Sequence, residues 1–254
     1  MSGRLAVVGL GPGDARWLTA EAETELASAH ALYGYLHYLD RVPVRLGQTR
    51  HPSDNREEDA RAAAALSHAA QGGQVALVSG GDPGVFAMAA AVCAQIEAGP
   101  ALWRSIEVTI VPGVTAMLAV AARVGAPLGQ DFCVLSLSDN LKPWDLVERR
   151  LDGAAAAGFA MALYNPVSRA RPWQLGAAFE RLRQQLPATT PVVFGRAVGR
   201  GDEDISITTL AEANAVPADM ATLVIVGSAQ SRVIPRLGRY PLVYTPRAVE
   251  MVGA

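Results

Sequence analysis

Three short stretches combine residue types that ligand chemistry uses: Gly9-Leu10-Gly11-Pro12-Gly13-Asp14, Gly80-Gly81-Asp82-Pro83 and Pro112-Gly113-Val114-Thr115-Ala116. Glycine lets the backbone approach a bulky or flat ligand closely, and proline stiffens the turn. An aspartate in such a turn either accepts from a ligand hydroxyl or ammonium or closes the turn on its own backbone. Each stretch follows an apolar run, ending at Val8, Ser79 and Val111. Ligands in open parallel sheets collect beyond the carboxyl ends of strands, so the three corners point to one shared pocket.

The spacing argues against two familiar nucleotide sites. Gly9, Gly11 and Gly13 give GxGxG with Pro12 inside, and Thr19 delays the helix. A dinucleotide fingerprint needs GxGxxG opening a helix directly, with an acid closing a second strand about 20 residues on. No Gly-Lys-Ser/Thr follows, which excludes a P-loop. Cys93 and Cys133 are isolated, and His30, His37, His51 and His68 are scattered. None has metal-ligand spacing, so neither a disulfide framework nor a metal is expected.

The elements that would position these corners alternate. Strands are predicted over 4–8, 31–33, 74–79, 106–111, 132–137, 160–164, 191–194, 205–208 and 223–226. Helices are predicted after Thr19, over 57–71, 88–98, after the third corner, and over 143–157 and 172–185. Thr19 is placed to cap its helix, with Glu21 and Glu23 in the first turn where carboxylates suit the dipole. Alternation of this kind implies an α/β fold with largely parallel pairing. The late strands, with little helix between them, imply antiparallel pairing there. Gly125 to Gln130, rich in glycine and proline, reads as the boundary between domains 1–126 and 131–254.

Composition narrows the partners. The chain has 254 residues, half of them apolar, and a net charge of −2. That suits one large or two modest domains with a sizeable core. No charge run suggests a nucleic acid. No apolar stretch reaches the roughly 18 residues of a membrane span. Arg4 interrupts the N-terminus, unlike a signal peptide. A cytoplasmic protein is expected. Lys142 is the single lysine among 22 basic residues. Base composition accounts for such a bias. Guanidinium groups also make planar two-point contacts with carboxylates, which would suit a ligand carrying many of them.

Taken together, VVGLGPGD with Trp17-Leu18-Thr19, SGGDPGVF, VPGVTA, ALYNPVSRAR and TLVIVGS resemble, in order and over nearly the whole chain, the tetrapyrrole methylases. The resemblance implies two α/β domains of that type, with S-adenosylmethionine (SAM) folded in the cleft between them as methyl donor. It also implies a polycarboxylate tetrapyrrole substrate and a homodimer. LSLSDNLKPWDLVERRL, ALYNPVSRARPWQL and GRAVGRGDED resemble the branch that methylates precorrin-3B at carbon 17 and contracts the ring to precorrin-4. The branch acting on cobalt-factor III has similar motifs, and other precorrin methylases stay open. So does a non-catalytic tetrapyrrole- or SAM-binding module. Members acting on uroporphyrinogen III tend to carry an acidic YDRLV-type segment. Here Tyr33-Gly34-Tyr35-Leu36-His37-Tyr38 stands in its place, without the acid.

Carried over by position, the donor would meet Pro12, Gly80, Gly81, Asp82, Val85, Thr115, Ala116, Tyr164, Ala197 and Ala221. The substrate would meet the loop from Gly11 through Gly13 to Asp14, with Arg169, Arg171, Arg196 and Arg200 reaching its carboxylate arms. Asp14 would position pyrrole N–H groups or close a turn. Tyr35, His37 and Tyr38 would be acid–base groups for ring contraction or ordinary core.

Overall fold

The computed structural model describes residues 3–54 and 56–248. The chain divides into two compact units, the break falling between Ala116 and Met117. The outermost residues of the expected domains, 1–2 and 249–254, lie outside the described residues.

The first unit runs β1 (Arg4–Gly9), α1 (Ala20–Ser28), β2 (Ala31–Tyr35), α2 (Leu36–Leu39), β3 (Thr49–Ser53), α3 (Glu58–Ala70), β4 (Gln74–Ser79), α4 (Met88–Ala98) and β5 (Glu107–Val111). Its five strands form one sheet of order β3-β2-β4-β1-β5, parallel throughout. The central strands are unbroken apolar runs because both faces are covered. Leu5, Val7, Val75 and Leu77 pack with Leu66 of α3 and Val92 of α4. Ala6, Val8, Ala76 and Val78 pack on the other face with Leu26 of α1 and Leu39 of α2. Thr19 caps α1 as expected, its Oγ1 accepting from the Ala22 N–H at 3.1 Å.

Strand β3 was not among the expected elements. Its sequence Thr-Arg-His-Pro-Ser is polar and largely exposed. It lies at the sheet edge, where a proline that cannot donate to the ladder is tolerated.

The chain continues with α5 (Ala116–Val124), which enters the second unit after its first residue, then β6 (Gly125–Ala126), β7 (Phe132–Ser136), α6 (Trp144–Ala156), β8 (Ala160–Tyr164), α7 (Gln174–Leu182), β9 (Pro191–Arg196), β10 (Asp204–Thr209), β11 (Thr222–Val226), β12 (Arg232–Arg236) and β13 (Arg239–Tyr244). Its main sheet has order β10-β9-β11-β8-β7. β7 and β8 pair parallel across a helix, whereas β8, β11, β9 and β10 pair antiparallel. The short connection from β9 to β10 permits only antiparallel pairing there. Leu151 of α6 and Phe179 of α7 pack on Leu163, Phe194 and Val224. Gly195 lets α5 lie against the opposite face: a Cβ there would sit 2.3 Å from a Val120 methyl.

A second sheet joins β12, β13 and β6. The hairpin β12–β13 was not expected, since Pro235 and Pro241 interrupt its pattern. The first two residues of the stretch 125–130 form β6, paired with Val243 and Tyr244.

Candidate active site

The three glycine corners leave the carboxyl ends of β1, β4 and β5, which are immediate neighbours in the order β4-β1-β5. Parallel register therefore brings them together at one end of the sheet. The first two corners exchange backbone hydrogen bonds. The Gly11 N–H donates to the Gly81 carbonyl at 3.1 Å, and the Gly81 N–H to the Gly11 carbonyl at 3.0 Å. Both glycines have left-handed backbones, with φ of 66° and 65°.

Asp82 ties the second corner to the third. Its Oδ1 accepts from the Gly84 N–H at 2.8 Å and its Oδ2 from the Gly113 N–H at 3.0 Å. Backbone lies on backbone here. A Cβ on Gly113 would come within 2.3 Å of the Gly81 carbonyl oxygen, and one on Gly9 within 2.7 Å of the Gly113 nitrogen.

Side chains brace the corners from below and beside. One Arg41 nitrogen, Nη2, donates to the carbonyls of Leu10, Gly11 and Gly13 at 2.8, 2.9 and 2.5 Å. The Tyr38 ring lies where a Gly80 Cβ would be, 2.6 Å from its Cζ. Tyr35 meets Tyr38 edge-on at 5.4 Å and His37 at 5.0 Å, and His37 Nδ1 lies 3.9 Å from Asp40. These three expected acid–base residues therefore form one aromatic cluster at the end of β2 and in α2, beside the β4 corner. Thr115 is buried at the end of the third corner.

Asp14 caps the turn at Ala15–Trp17, accepting from the Arg16 N–H. Its carboxylate also pairs with the Arg16 guanidinium at 2.9 Å. That hydrogen-bonded partner holds the carboxyl below its ordinary range, so it persists as an anion rather than a ready proton acceptor.

In the second unit, Tyr164 ends β8, and its hydroxyl accepts from the Met117 N–H in the first turn of α5 at 3.1 Å. The Ala197 N–H donates to the Ala221 carbonyl at 3.0 Å, joining two of the expected donor residues directly. Arg196 is held between two acids: Nε meets Asp219 at 2.7 Å and Nη1 meets Asp202 at 3.0 Å. These bonds raise its pKa. Arg171 pairs with Asp139, while Arg169 and Arg200 are exposed.

Among the described residues, Phe86, Asn165 and Ala197 are the non-glycine residues with left-handed backbone, at φ of 51°, 51° and 49°. Such conformations cost on the order of 1–3 kcal/mol and persist where surrounding structure imposes them, often at functional sites. Phe86 directly follows Val85, Asn165 directly follows Tyr164, and Ala197 was itself expected. Phe86, 55% exposed, Arg41 and Asn165 were not among the expected site residues. An aromatic following a glycine-rich corner was the one available signal. Nothing in sequence spacing marks Arg41. Among the described residues, no group of His, Cys, Asp or Glu could hold a metal ion, and no helix is long and apolar enough to cross a membrane.

A parallel sheet with backbone-lined corners at its carboxyl edge defines a binding fold, and the chain belongs to a known one. Residues 4–214 match the family of Tetrapyrrole (Corrin/Porphyrin) Methylases, so the chain is a member of that family. It is 62% identical over 247 residues to the Precorrin-3B C(17)-methyltransferase of Sinorhizobium sp., covering 97% of each chain. It is 38% identical to the probable cobalt-factor III C(17)-methyltransferase of Salmonella typhimurium, covering 95% of this chain and 99% of that one. The crystal structure of the methyltransferase CobJ matches with a TM-score of 0.91 and 48% identity, over 96% of this chain and 100% of that one.

Proposed function

We propose that this protein methylates precorrin-3B at carbon 17, using SAM, with contraction of the ring to precorrin-4. The near-full-length match at 62% identity to the Sinorhizobium enzyme carries this reading. The lower identity to the cobalt-factor III relative ranks that substrate second. The same reading makes the protein a cytoplasmic homodimer.

The corners fit the donor. Gly11 and Gly81 bond each other through a reciprocal backbone pair, and Gly9 and Gly113 let the backbones close together. Pro12, Gly80, Gly81, Val85, Thr115 and Ala116 would hold SAM at the corners, and the resemblance adds Tyr164, Ala197 and Ala221 as donor residues. Asp82 would act by fixing the second and third corners in place. When bound, the donor supplies a methyl group already activated on a sulfonium, so little covalent help is required. The chain's work is alignment, which lowers such barriers by as much as about 7–11 kcal/mol in ideal cases.

The tetrapyrrole would meet the loop from Gly11 to Asp14, where the anionic Asp14 faces solvent as an acceptor for pyrrole N–H groups. Arg169, Arg171 and Arg200 would reach its carboxylates. Arg196 would act mainly by holding its loop, since two aspartates already neutralise it. Tyr35, in the aromatic cluster at the end of β2, would exchange a proton during ring contraction.

The test is incubation of purified protein with precorrin-3B and methyl-labelled SAM, followed by product identification. The expected product carries one label at carbon 17 of a contracted ring. Turnover of cobalt-factor III alone, or binding without turnover, would reject the proposal.

A further inference from the structure

Ser168 and Arg171 close a four-residue turn in the stretch after β8. The Ser168 N–H donates to the Arg171 carbonyl at 3.2 Å and the Arg171 N–H to the Ser168 carbonyl at 3.0 Å. This is an antiparallel bridge, and residues so paired carry their side chains on one face. On these two residues, Ser168 Oγ and Arg171 Nε are both buried, and neither has a hydrogen-bond partner among the described residues. A buried donor left unmatched is costly and calls for an acceptor. Two of them on one face of one turn call for an acceptor with two oxygens.

The rest of the Arg171 guanidinium is fixed. Its Nη1 donates to Asp139 Oδ1 at 2.6 Å, and the same oxygen accepts from Gln174 Nε2 at 2.8 Å. Gln174 is 2% exposed, so Asp139 is anchored from the first turn of α7. Asp139 therefore holds the planar fork in one orientation with the Nε edge turned away from it. Asn165 strengthens the frame, its Nδ2 donating to Ser136 Oγ at 2.9 Å. The parts follow β7 and β8, in two of the three segments that resemble this branch in the sequence. Arg196, by contrast, spends its guanidinium on two aspartates.

We infer that Ser168 and Arg171 receive a carboxylate, with Asp139 and Gln174 as positioning residues. The inference rests on the proposed function for its ligands: both the macrocycle and the amino-acid end of SAM carry carboxylates, and neither carries a phosphate. A carboxylate matches the planar guanidinium edge and accepts from the serine hydroxyl as well.

The test uses S168A, R171K and D139N in the full chain. The Michaelis constant for precorrin-3B, kcat, the affinity for S-adenosylhomocysteine by calorimetry and the melting temperature are measured for each. A macrocycle arm in the site raises KM by about tenfold to a hundredfold, with kcat changing little. A donor carboxylate there weakens S-adenosylhomocysteine by a similar factor instead. D139N has no further effect once R171K is present, because it acts through Arg171. If both constants stay within about twofold of wild type in folded S168A and R171K, the pair holds only solvent and the inference falls. S168A removes a single hydroxyl and carries the test where Arg171 variants fail to fold. If the wild type does not turn over precorrin-3B, the functional proposal fails separately. The pair is then read by S-adenosylhomocysteine calorimetry and by fluorescence titration with uroporphyrin I. Weaker binding of either in S168A and R171K supports it, and unchanged binding of both overturns it.

Discussion

Replacing Asp82 with alanine separates shaping the site from touching the ligand. The substitution deletes two acceptors for backbone N–H groups, one exposed at Gly84 and one part-buried at Gly113. Hydrogen bonds to a charged group contribute about 1.5–3 kcal/mol, and an exposed one less, so about 3 kcal/mol should be lost in all. For a chain of this size that corresponds to a fall of about 6–12 °C in melting temperature. The second and third corners would then part, and the dissociation constant for S-adenosylhomocysteine should rise about tenfold or more. Differential scanning calorimetry and isothermal titration at low temperature read the two effects on one preparation. Asp82→Asn should do nearly as badly, since its amide offers one acceptor and turns a donor toward an N–H. An unchanged melting temperature with lost affinity would refute the shaping role and put the carboxylate on the ligand. A lowered melting temperature with full affinity would refute the corners as the donor site.

Two other outcomes test neighbouring claims. Gly113→Ala puts a Cβ 2.3 Å from the Gly81 oxygen, which is backbone, so it should cost about 3 kcal/mol, the upper end for overpacking. A urea midpoint within error of wild type would contradict the close packing. Burial pushes the Cys133 thiol up to about 11, leaving about one thiolate in a thousand at pH 8, whereas Cys93 is exposed. Ellman's reagent at pH 8 should therefore titrate one thiol quickly and the second only in denaturant. Two fast equivalents would contradict the burial.

The corners were legible because apolar runs ending in glycine carry their own punctuation. β4 and α4, each followed by a glycine, fall on their expected bounds for that reason, and β8 falls on its bounds before Asn165-Pro166. What escaped depended on pairing and burial that local propensity does not show. Strand β3 is polar and survives by pairing with β2 at an edge. The hairpin β12–β13 carries prolines that local propensity reads as loop. Arg41 gains its place from carbonyls 28 to 31 residues earlier. Ser168 acquires meaning only from the bridge to Arg171 and the burial of both groups. Asp82 was expected as a donor residue, yet its bonds to two backbone N–H groups were not foreseen, because Gly113 lies 31 residues away.

The stitching of Gly11 to Gly81 and of Asp82 to Gly113 ties the corners to the folding of the whole first unit. These residues meet only after β1, β4 and β5 have assembled side by side, and β5 closes that set last in the chain. A nascent or partly opened sheet thus presents no corner to bind. Any ligand held there selects the complete sheet and stabilises all of it by mass action, by about 2.7 kcal/mol at a hundred times its dissociation constant. Supply of the ligand would then set how long the enzyme survives proteolysis as well as how fast it works.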